Sequence, residues 1–197
     1  MPQRVGVVLA GGAGTRMGRP KGGIEVSGET LAERAGGVLW NFCGSVICSH
    51  TVGCDNPAPR FPGVEDEPPA GRGPLAGIDA AFRATGQADL AVLACDYPRV
   101  DNGLFRRLLA FDSDSVDLVM FIDADGRDHP LVGLWKRRTE ARVREALAAG
   151  FLRVRSLLPD LEVRRVGPAD LPGVDLNLAL VNVNWPEDLS QLRGLSS

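Results

Sequence analysis

Two groups of residues in this chain have the types and the spacing to work on a polyphosphate. The first begins where an apolar run, Val5-Gly-Val-Val-Leu9, gives way to Ala10-Gly-Gly-Ala-Gly-Thr-Arg-Met-Gly-Arg-Pro-Lys21. Gly11, Gly12, Gly14 and Gly18 permit tight turns and a close approach of the backbone to something bulky. Arg16, Arg19 and Lys21 add fixed positive charge within the same dozen residues. Backbone N–H groups and cations directly after a strand are what a polyphosphate requires. The second group is Asp96-Tyr-Pro98, which follows the apolar run Leu90-Ala-Val-Leu-Ala-Cys95 without a gap. A carboxylate at the end of a central strand lies on the ligand-binding edge of an α/β sheet. Mg²⁺ on a nucleotide is held by one or two carboxylates together with phosphate oxygens, so Asp96 is the candidate metal ligand.

The glycine loop is neither of the two commonest phosphate loops. A Walker A loop needs Gly-Lys-Ser/Thr, and the chain contains no Gly-Lys pair. The dinucleotide fingerprint needs glycine at 17, where Met17 stands. An arginine and a lysine inside the loop suit a triphosphate that is being cut. No Ser-His-Asp or Cys-His nucleophile is evident. His50 and His129 are the only histidines, and His129, before Pro130, reads as a structural or substrate-contacting residue in preference to a base. Cys43, Cys48, Cys54 and Cys95 show neither C-x-x-C spacing nor a histidine at zinc spacing, so they read as small core or loop residues of a reducing compartment.

These groups need a sheet to hold them. Strands are expected at Val5–Leu9, Ser45–Ser49, Leu90–Cys95, Leu118–Ile122, Leu131–Trp135, Glu162–Val166 and Ala179–Val183. Helices are expected at Thr30–Phe42, Leu75–Thr85, Gly103–Phe111, Thr139–Ala149 and Pro186–Leu195. In the first helix Leu31, Ala35, Val38, Leu39 and Phe42 recur at helical spacing, as one face on a sheet requires. Alternation of this kind predicts a three-layer α/β/α fold with a mostly parallel, Rossmann-like sheet. The stretch from Asn56 to Gly73 holds five prolines and three glycines. It can be neither a long helix nor a central strand, and is expected to be a substrate-facing loop. At 197 residues the chain fits a single domain, residues 1–197. Its net charge of −3, with 44% hydrophobic and 24% charged residues, gives no footprint for nucleic acid and no polybasic segment for a membrane. No apolar run approaches the ~20 residues of a membrane span, and a cytoplasmic enzyme is the expectation.

The motif Leu9-Ala-Gly-Gly-x-Gly-x-Arg-Met-Gly-x-x-Lys21 resembles the signature of the nucleotidyltransferases that make molybdenum cofactor dinucleotides. Three further segments are similar to the guanylyltransferase branch, the MobA-type enzymes. They are Asp66 followed by Gly73-Pro-Leu-Ala-Gly77, then Cys95-Asp96-x-Pro98, then Gly126-Arg-Asp-His-Pro130 with Asn182-Val-Asn184-x-Pro-Glu-Asp-Leu189. The resemblance spans residues 5 to 189. It implies the nucleotide-diphospho-sugar transferase type of fold and transfer of GMP from GTP to molybdopterin or molybdenum-molybdopterin, with pyrophosphate released. It implies that Leu9, Gly11, Gly12 and Gly14 shape the guanine and phosphate pocket, that Arg16 and Lys21 face the triphosphate, and that Asp66 lies by the nucleotide. It implies further that Asp96 binds Mg²⁺, the expected cofactor, and that Asn182 and Asn184 serve the pterin side. A molybdenum-insertion protein and acceptor molybdoenzymes are the expected protein partners.

The acceptor in such a reaction is already an ionised phosphate, so positioning and charge neutralisation are the main requirements. The sequence departs from the family pattern twice: His50 stands where an asparagine is usual, and Trp185 replaces a hydroxyl residue that would cap the helix beginning at Pro186. Three alternatives share parts of the pattern. A sugar-1-phosphate nucleotidyltransferase usually has a longer insertion between the arginine and the lysine. The cytidylyltransferase of the same cofactor tends to have alanine in place of Gly11. A non-catalytic cofactor carrier would not need both Asp66 and Asp96 beside the loop.

Overall fold

Burial on both faces explains the first apolar run, and a strand, β1 (Arg4–Leu9), forms there. It pairs in parallel with β4 (Ser45–His50) on one side and β6 (Asp89–Ala94) on the other. The computed structural model describes residues 3–11, 21–67, 71–183 and 188. A small hairpin, β2 (Glu25–Val26) and β3 (Glu29–Thr30), precedes the first helix. Its two turn residues, Ser27 and Gly28, both have positive φ, 56° and 85°, the signature of a two-residue hairpin turn whose twist matches its strands. Helix α1 (Leu31–Trp40) then starts on a capping box. The Thr30 hydroxyl accepts from the Glu33 N–H at 3.0 Å, and the Glu33 carboxylate accepts from the Thr30 N–H at 3.3 Å.

The main sheet has seven strands in the order β5-β4-β1-β6-β8-β7-β9, where β5 is Gly63–Glu65, β7 Leu118–Ile122, β8 Asp128–Trp135 and β9 Val163–Val166. Only β8 runs against the others, pairing antiparallel with both β6 and β7. Helices cover both faces, as expected. A Cβ on Gly6 would press on Leu39 of α1 at 2.9 Å, whereas a Cβ on Gly77, in α2 (Pro74–Thr85), would meet Leu9 at 3.0 Å. Gly6 and Leu9 are three apart on one strand and so face opposite ways. Helix α3 (Asn102–Leu109) joins the α1 side and α4 (Glu140–Ala148) packs on α2.

Three expectations need correction. Ala179–Val183 is not a strand. A short helix, α5 (Leu176–Ala179), ends there, capped by Asp175, whose carboxylate accepts from the Leu178 N–H at 3.0 Å. The chain then crosses the sheet edge, with the Val183 N–H donating to the Asp96 carbonyl at 2.8 Å. Leu131–Trp135 extends back to Asp128. Pro130 cannot donate to a ladder, and the pairing with β7 jumps from Met120↔Gly133 to Phe121↔His129 across it, an irregularity that re-aims His129. The proline-rich stretch 56–73 contributes β5, three residues long and on the sheet edge, where proline-rich segments can pair. Trp185 and, apart from Asp188, the expected helix Pro186–Leu195 lie outside the described residues.

None of the four cysteines is disulfide-bonded. Burial pushes the thiols of Cys43 and Cys48 up to about 11 and about 12, and that of Cys95 further up, so they stay protonated. Among the described residues no helix is long and apolar enough to cross a membrane.

Candidate active site

The carboxyl ends of β1, β4 and β6 are tied together where the site begins. The Ala10 N–H donates to the Ser49 carbonyl at 2.9 Å, and the Cys95 N–H to the Leu9 carbonyl at 3.1 Å. Leu9 and Ala10 are buried, and the chain emerges into solvent at Gly11. Gly12, Gly14 and Arg16 lie outside the described residues, and the chain resumes at Lys21.

Lys21 opens a 3₁₀ turn, Lys21–Gly23, seated tightly on the sheet end. A Cβ on Gly22 would fall 2.9 Å from Pro57 and 3.0 Å from Ala10. From this turn the Lys21 Nζ lies 3.7 Å from Asp96 Oδ2, with each side chain about one-fifth exposed (21% and 20%). Asp96 follows β6 directly, as its sequence position requires. Burial raises its carboxyl above the ordinary carboxylate range, and the Lys21 ammonium and the Asn182 amide work against that shift. Its Oδ1 is closed off from solvent and makes no well-formed hydrogen bond among the described residues. A cation beside a mostly covered carboxylate, on the edge from which the glycine loop leaves, is an arrangement for charge handling.

Asp66 comes to the same edge from the irregular stretch. Its N–H donates to the His50 carbonyl at 3.0 Å, which continues the β4–β5 pairing. The Ser49 hydroxyl donates to Asp66 Oδ1 at 3.2 Å, and a Cβ built on Gly11 would come 3.3 Å from Asp66 Oδ2. Gly77 leaves room for the cluster, since a Cβ there would stand 2.8 Å from the Ser49 hydroxyl. Burial raises the Asp66 carboxyl, and the Ser49 hydroxyl and the positive potential of His50 and Arg83 partly offset this. Leu9, Gly11, Asp66 and Gly77 therefore converge, although they span nearly seventy residues of sequence. Ser49 was not singled out by sequence. A lone serine at a strand end carries no signal until its partner carboxylate is located. His50, at the position of the family's usual asparagine, is buried, with its ring over Gly63 and Nδ1 3.4 Å from the Thr51 carbonyl.

On the other side of Asp96, Asn182 joins a cavity of about 340 Å³ lined among others by Tyr97, Asp123, Arg127, His129 and Arg155. The re-aimed His129 sits between Asp123 and Tyr97, with Nε2 3.1 Å from Asp123 Oδ2 and Nδ1 3.3 Å from the Tyr97 hydroxyl. Burial works against the Asp123 charge, but the N–H groups of Arg127 and Asp125 and the His129 ring outweigh it, and the carboxyl is held below its ordinary range. Asn184 lies outside the described residues. Among the described residues no three carboxylate, histidine or cysteine side chains cluster as a metal cage. Asp96 suits a bound Mg²⁺: it offers a buried oxygen that makes no well-formed hydrogen bond among the described residues, and Mg²⁺ on nucleotides characteristically takes few protein ligands.

The chain is similar to known proteins over nearly its whole length. The MobA-like NTP transferase domain family matches residues 6–165. A protein of Pelotomaculum thermopropionicum named "Probable molybdenum cofactor guanylyltransferase" is 33% identical over 195 residues, covering 98% of this chain and 93% of that one. The structure of molybdopterin-guanine dinucleotide biosynthesis protein A from Archaeoglobus fulgidus superposes with a TM-score of 0.74 at 23% identity, over 95% of both chains. The 2-C-methyl-D-erythritol 4-phosphate cytidylyltransferase of Thermus thermophilus shares the fold with a TM-score of 0.66 at 16% identity, over 96% of both chains.

Proposed function

The chain belongs to the MobA-like NTP transferase family, and from that premise we propose that it transfers GMP from GTP to the terminal phosphate of molybdopterin, with or without molybdenum bound. The acceptor's phosphate oxygen bonds to the α-phosphorus of GTP, the bond to the bridging oxygen breaks, and pyrophosphate leaves. The single observation that carries the reading is the Lys21–Asp96 pair, 3.7 Å apart on the carboxyl edge. It lies between the Leu9, Gly11 and Asp66 side and the cavity that Asn182 lines. Two anions could meet there from opposite sides.

The chain's groups supply what such a meeting needs. The Lys21 ammonium offsets negative charge on the triphosphate. Arg16 and the amides of Gly12 and Gly14 belong to the same role by the resemblance. Asp66 beside Gly11 takes the nucleoside side, with Ser49 holding one of its oxygens. Asn182 and, by resemblance, Asn184 take the pterin side. No side chain has to act as a base, because the acceptor phosphate is already ionised. Asp96 would hold Mg²⁺, which when bound supplies Lewis-acid neutralisation of the phosphate oxygens. The full chain acts as one domain, residues 1–197. It takes its acceptor from a molybdenum-insertion protein and delivers product to acceptor molybdoenzymes in the cytoplasm, a compartment that suits its free cysteines.

Guanine over cytosine is the finer part of the reading, and Gly11 motivates it. A methyl at 11 would press on the Asp66 carboxylate at 3.3 Å. Transfer efficiency should favour GTP over CTP by at least about tenfold, ~1.4 kcal/mol of differential transition-state binding. Pyrophosphate release with molybdopterin and each nucleotide measures it. Equal or better use of CTP would defeat the guanine assignment and leave the fold untouched.

A further inference from the structure

His50 stands at the family's usual asparagine, but its side chain leaves the site. Alternate residues of a strand face opposite ways. Ser49 of β4 faces the Asp66 carboxylate and Gly77, whereas His50 faces β5, where a Cβ on Gly63 would stand 2.7 Å from its Nε2. The next residue on the Ser49 side is Thr51. A Cβ on Gly11 would lie 3.6 Å from the Thr51 hydroxyl, 3.8 Å from the Thr51 nitrogen and 3.3 Å from Asp66 Oδ2.

All three of these polar atoms are open. The β1–β4 ladder ends at Leu9 and Ser49, so it takes no bond from the Thr51 N–H. Neither that N–H nor the Thr51 hydroxyl makes a hydrogen bond among the described residues. Nor does Asp66 Oδ2, since the Ser49 hydroxyl takes only Oδ1. The Thr51 carbonyl accepts from the Cys54 N–H at 3.0 Å, which holds the turn in place. Asp66 is 8% exposed, and an oxygen covered to that degree costs free energy unless a donor reaches it. The connections from β1 and β4 leave for opposite faces of the sheet, toward α1 and α2, and an α/β sheet opens its ligand crevice where that happens.

We infer that Thr51, not His50, contacts the base of the nucleotide at the end of β4, its hydroxyl working with Asp66 Oδ2 across Gly11. The inference rests on the guanylyltransferase reading for the identity of that base as guanine. Thr51 brings two donors, one of them fixed in the backbone, and Asp66 brings an acceptor. Guanine presents the matching set, a carbonyl oxygen together with N–H groups. Ser49 acts through Asp66 and is a positioning residue.

Calorimetric titration of the intact protein with GTP and Mg²⁺ tests this, with pyrophosphate as a probe of the triphosphate grip alone. Thr51→Val removes the hydroxyl and keeps the shape. It should weaken GTP binding about three- to tenfold, the effect of one lost hydrogen bond, and leave pyrophosphate affinity and the thermal midpoint unchanged. Thr51→Ser keeps the hydroxyl and should stay within about twofold of the wild type. His50→Gln should do the same. In steady state Thr51→Val should raise KM for GTP and leave kcat alone, because the contact is equal in ground and transition states. The loss should be as large with 2′,3′-dideoxy-GTP, which lacks both ribose hydroxyls. A loss confined to GTP would place Thr51 on the ribose and overturn the inference. So would unchanged GTP affinity in Thr51→Val, a parallel loss of pyrophosphate affinity, or a larger loss in His50→Gln than in Thr51→Val. A wild type that prefers CTP, with Thr51→Val weakening CTP, would defeat the guanine assignment and leave Thr51 on the base.

Discussion

Lys21 and Asp96 illustrate how little covalent chemistry the residues at this site need to do. Their separation of 3.7 Å holds opposite charges at the sheet edge before any ligand arrives. Burial raises the Asp96 carboxyl even with the Lys21 ammonium working against the shift, so its charged form gains from a further cation. Lys21→Ala should fold normally and lower kcat by about a hundredfold or more, the size seen when a group stabilising transition-state charge is removed. Asp96→Asn keeps the shape and removes one negative charge. It should still bind GTP, be nearly inactive, and recover in part as Mg²⁺ is raised, if metal affinity is what it supplies. Steady-state kinetics over a Mg²⁺ series measures both, and an Asp96→Asn enzyme active at ordinary Mg²⁺ would make Asp66 the leading ligand.

At the scale of elements, helix α1 offers a controlled comparison. Gly36 and Gly37 are neighbours in one helix, yet their surroundings differ. A Cβ on Gly36 would lie 2.1 Å from the Phe61 ring, whereas nothing stands within 4 Å of one on Gly37. Phe61 is itself buried and cannot swing away. Replacing a helical glycine by alanine gains about 0.5–1 kcal/mol from backbone entropy. Overpacking a filled site costs about 1–3 kcal/mol, so the two effects oppose each other at 36 and not at 37. Gly37→Ala should stabilise the protein by about 0.5–1 kcal/mol and Gly36→Ala should destabilise it, as read from urea unfolding midpoints. If both stabilised it, the contact between α1 and the proline-rich stretch would be looser than the structure has it.

The molecule as a whole separates its functional edge from a buried electrostatic clasp at the opposite edge. Arg4 and Asp89 begin β1 and β6, whereas the site lies past their last residues, about 17–20 Å along the strands. There Lys136, 4% exposed, reaches Asp89 at 3.1 Å and Asp112 at 2.6 Å, and Arg4 reaches Asp112 at 2.9 Å. Burial lowers the lysine's proton affinity, but the two carboxylates more than reverse it, and its pKa is raised. A raised lysine contributes stability that is complete below its ordinary value near ~10.4 and is lost as pH climbs through the higher folded value. Asp117 and Asp123 are shifted the other way. Burial opposes their charge, but hydrogen bonds and cations outweigh it. Their contribution is present above ~3.9 and disappears as pH falls through the lowered folded values. Asp66 and Asp96, raised by burial, soften that acid limb. Lys136→Met leaves two carboxylates without their shared cation. It should cost about 3 kcal/mol or more at neutral pH with KM for GTP unchanged, and the deficit should shrink in strong alkali. Thermal midpoints across pH, alongside kinetics, check the three parts.

What could be read from the chain alone was whatever is local. Strands buried on both faces make unbroken apolar runs, so β1, β6 and β7 were visible within a residue or two, and the loop and carboxylate at their ends came with them. Helix α1 announced itself by its apolar spacing, while the capping role of Thr30 emerged only in the structure. Tertiary structure decided everything that depends on which segment arrives beside which. Ala179–Val183 has a strand's composition, but Asp175 caps a helix before it and the Asp96 carbonyl takes the Val183 N–H, so no ladder is left for it. β8 reverses direction because only residues 123–127 join it to β7, a hairpin connection, but its insertion between β6 and β7 is a fact no local pattern records. The Ser49–Asp66 bond and the Asp123–His129–Tyr97 chain join residues 17 and up to 32 positions apart. Each partner alone is an ordinary polar residue, and only the sheet, by bringing strand ends to one edge, puts them in contact.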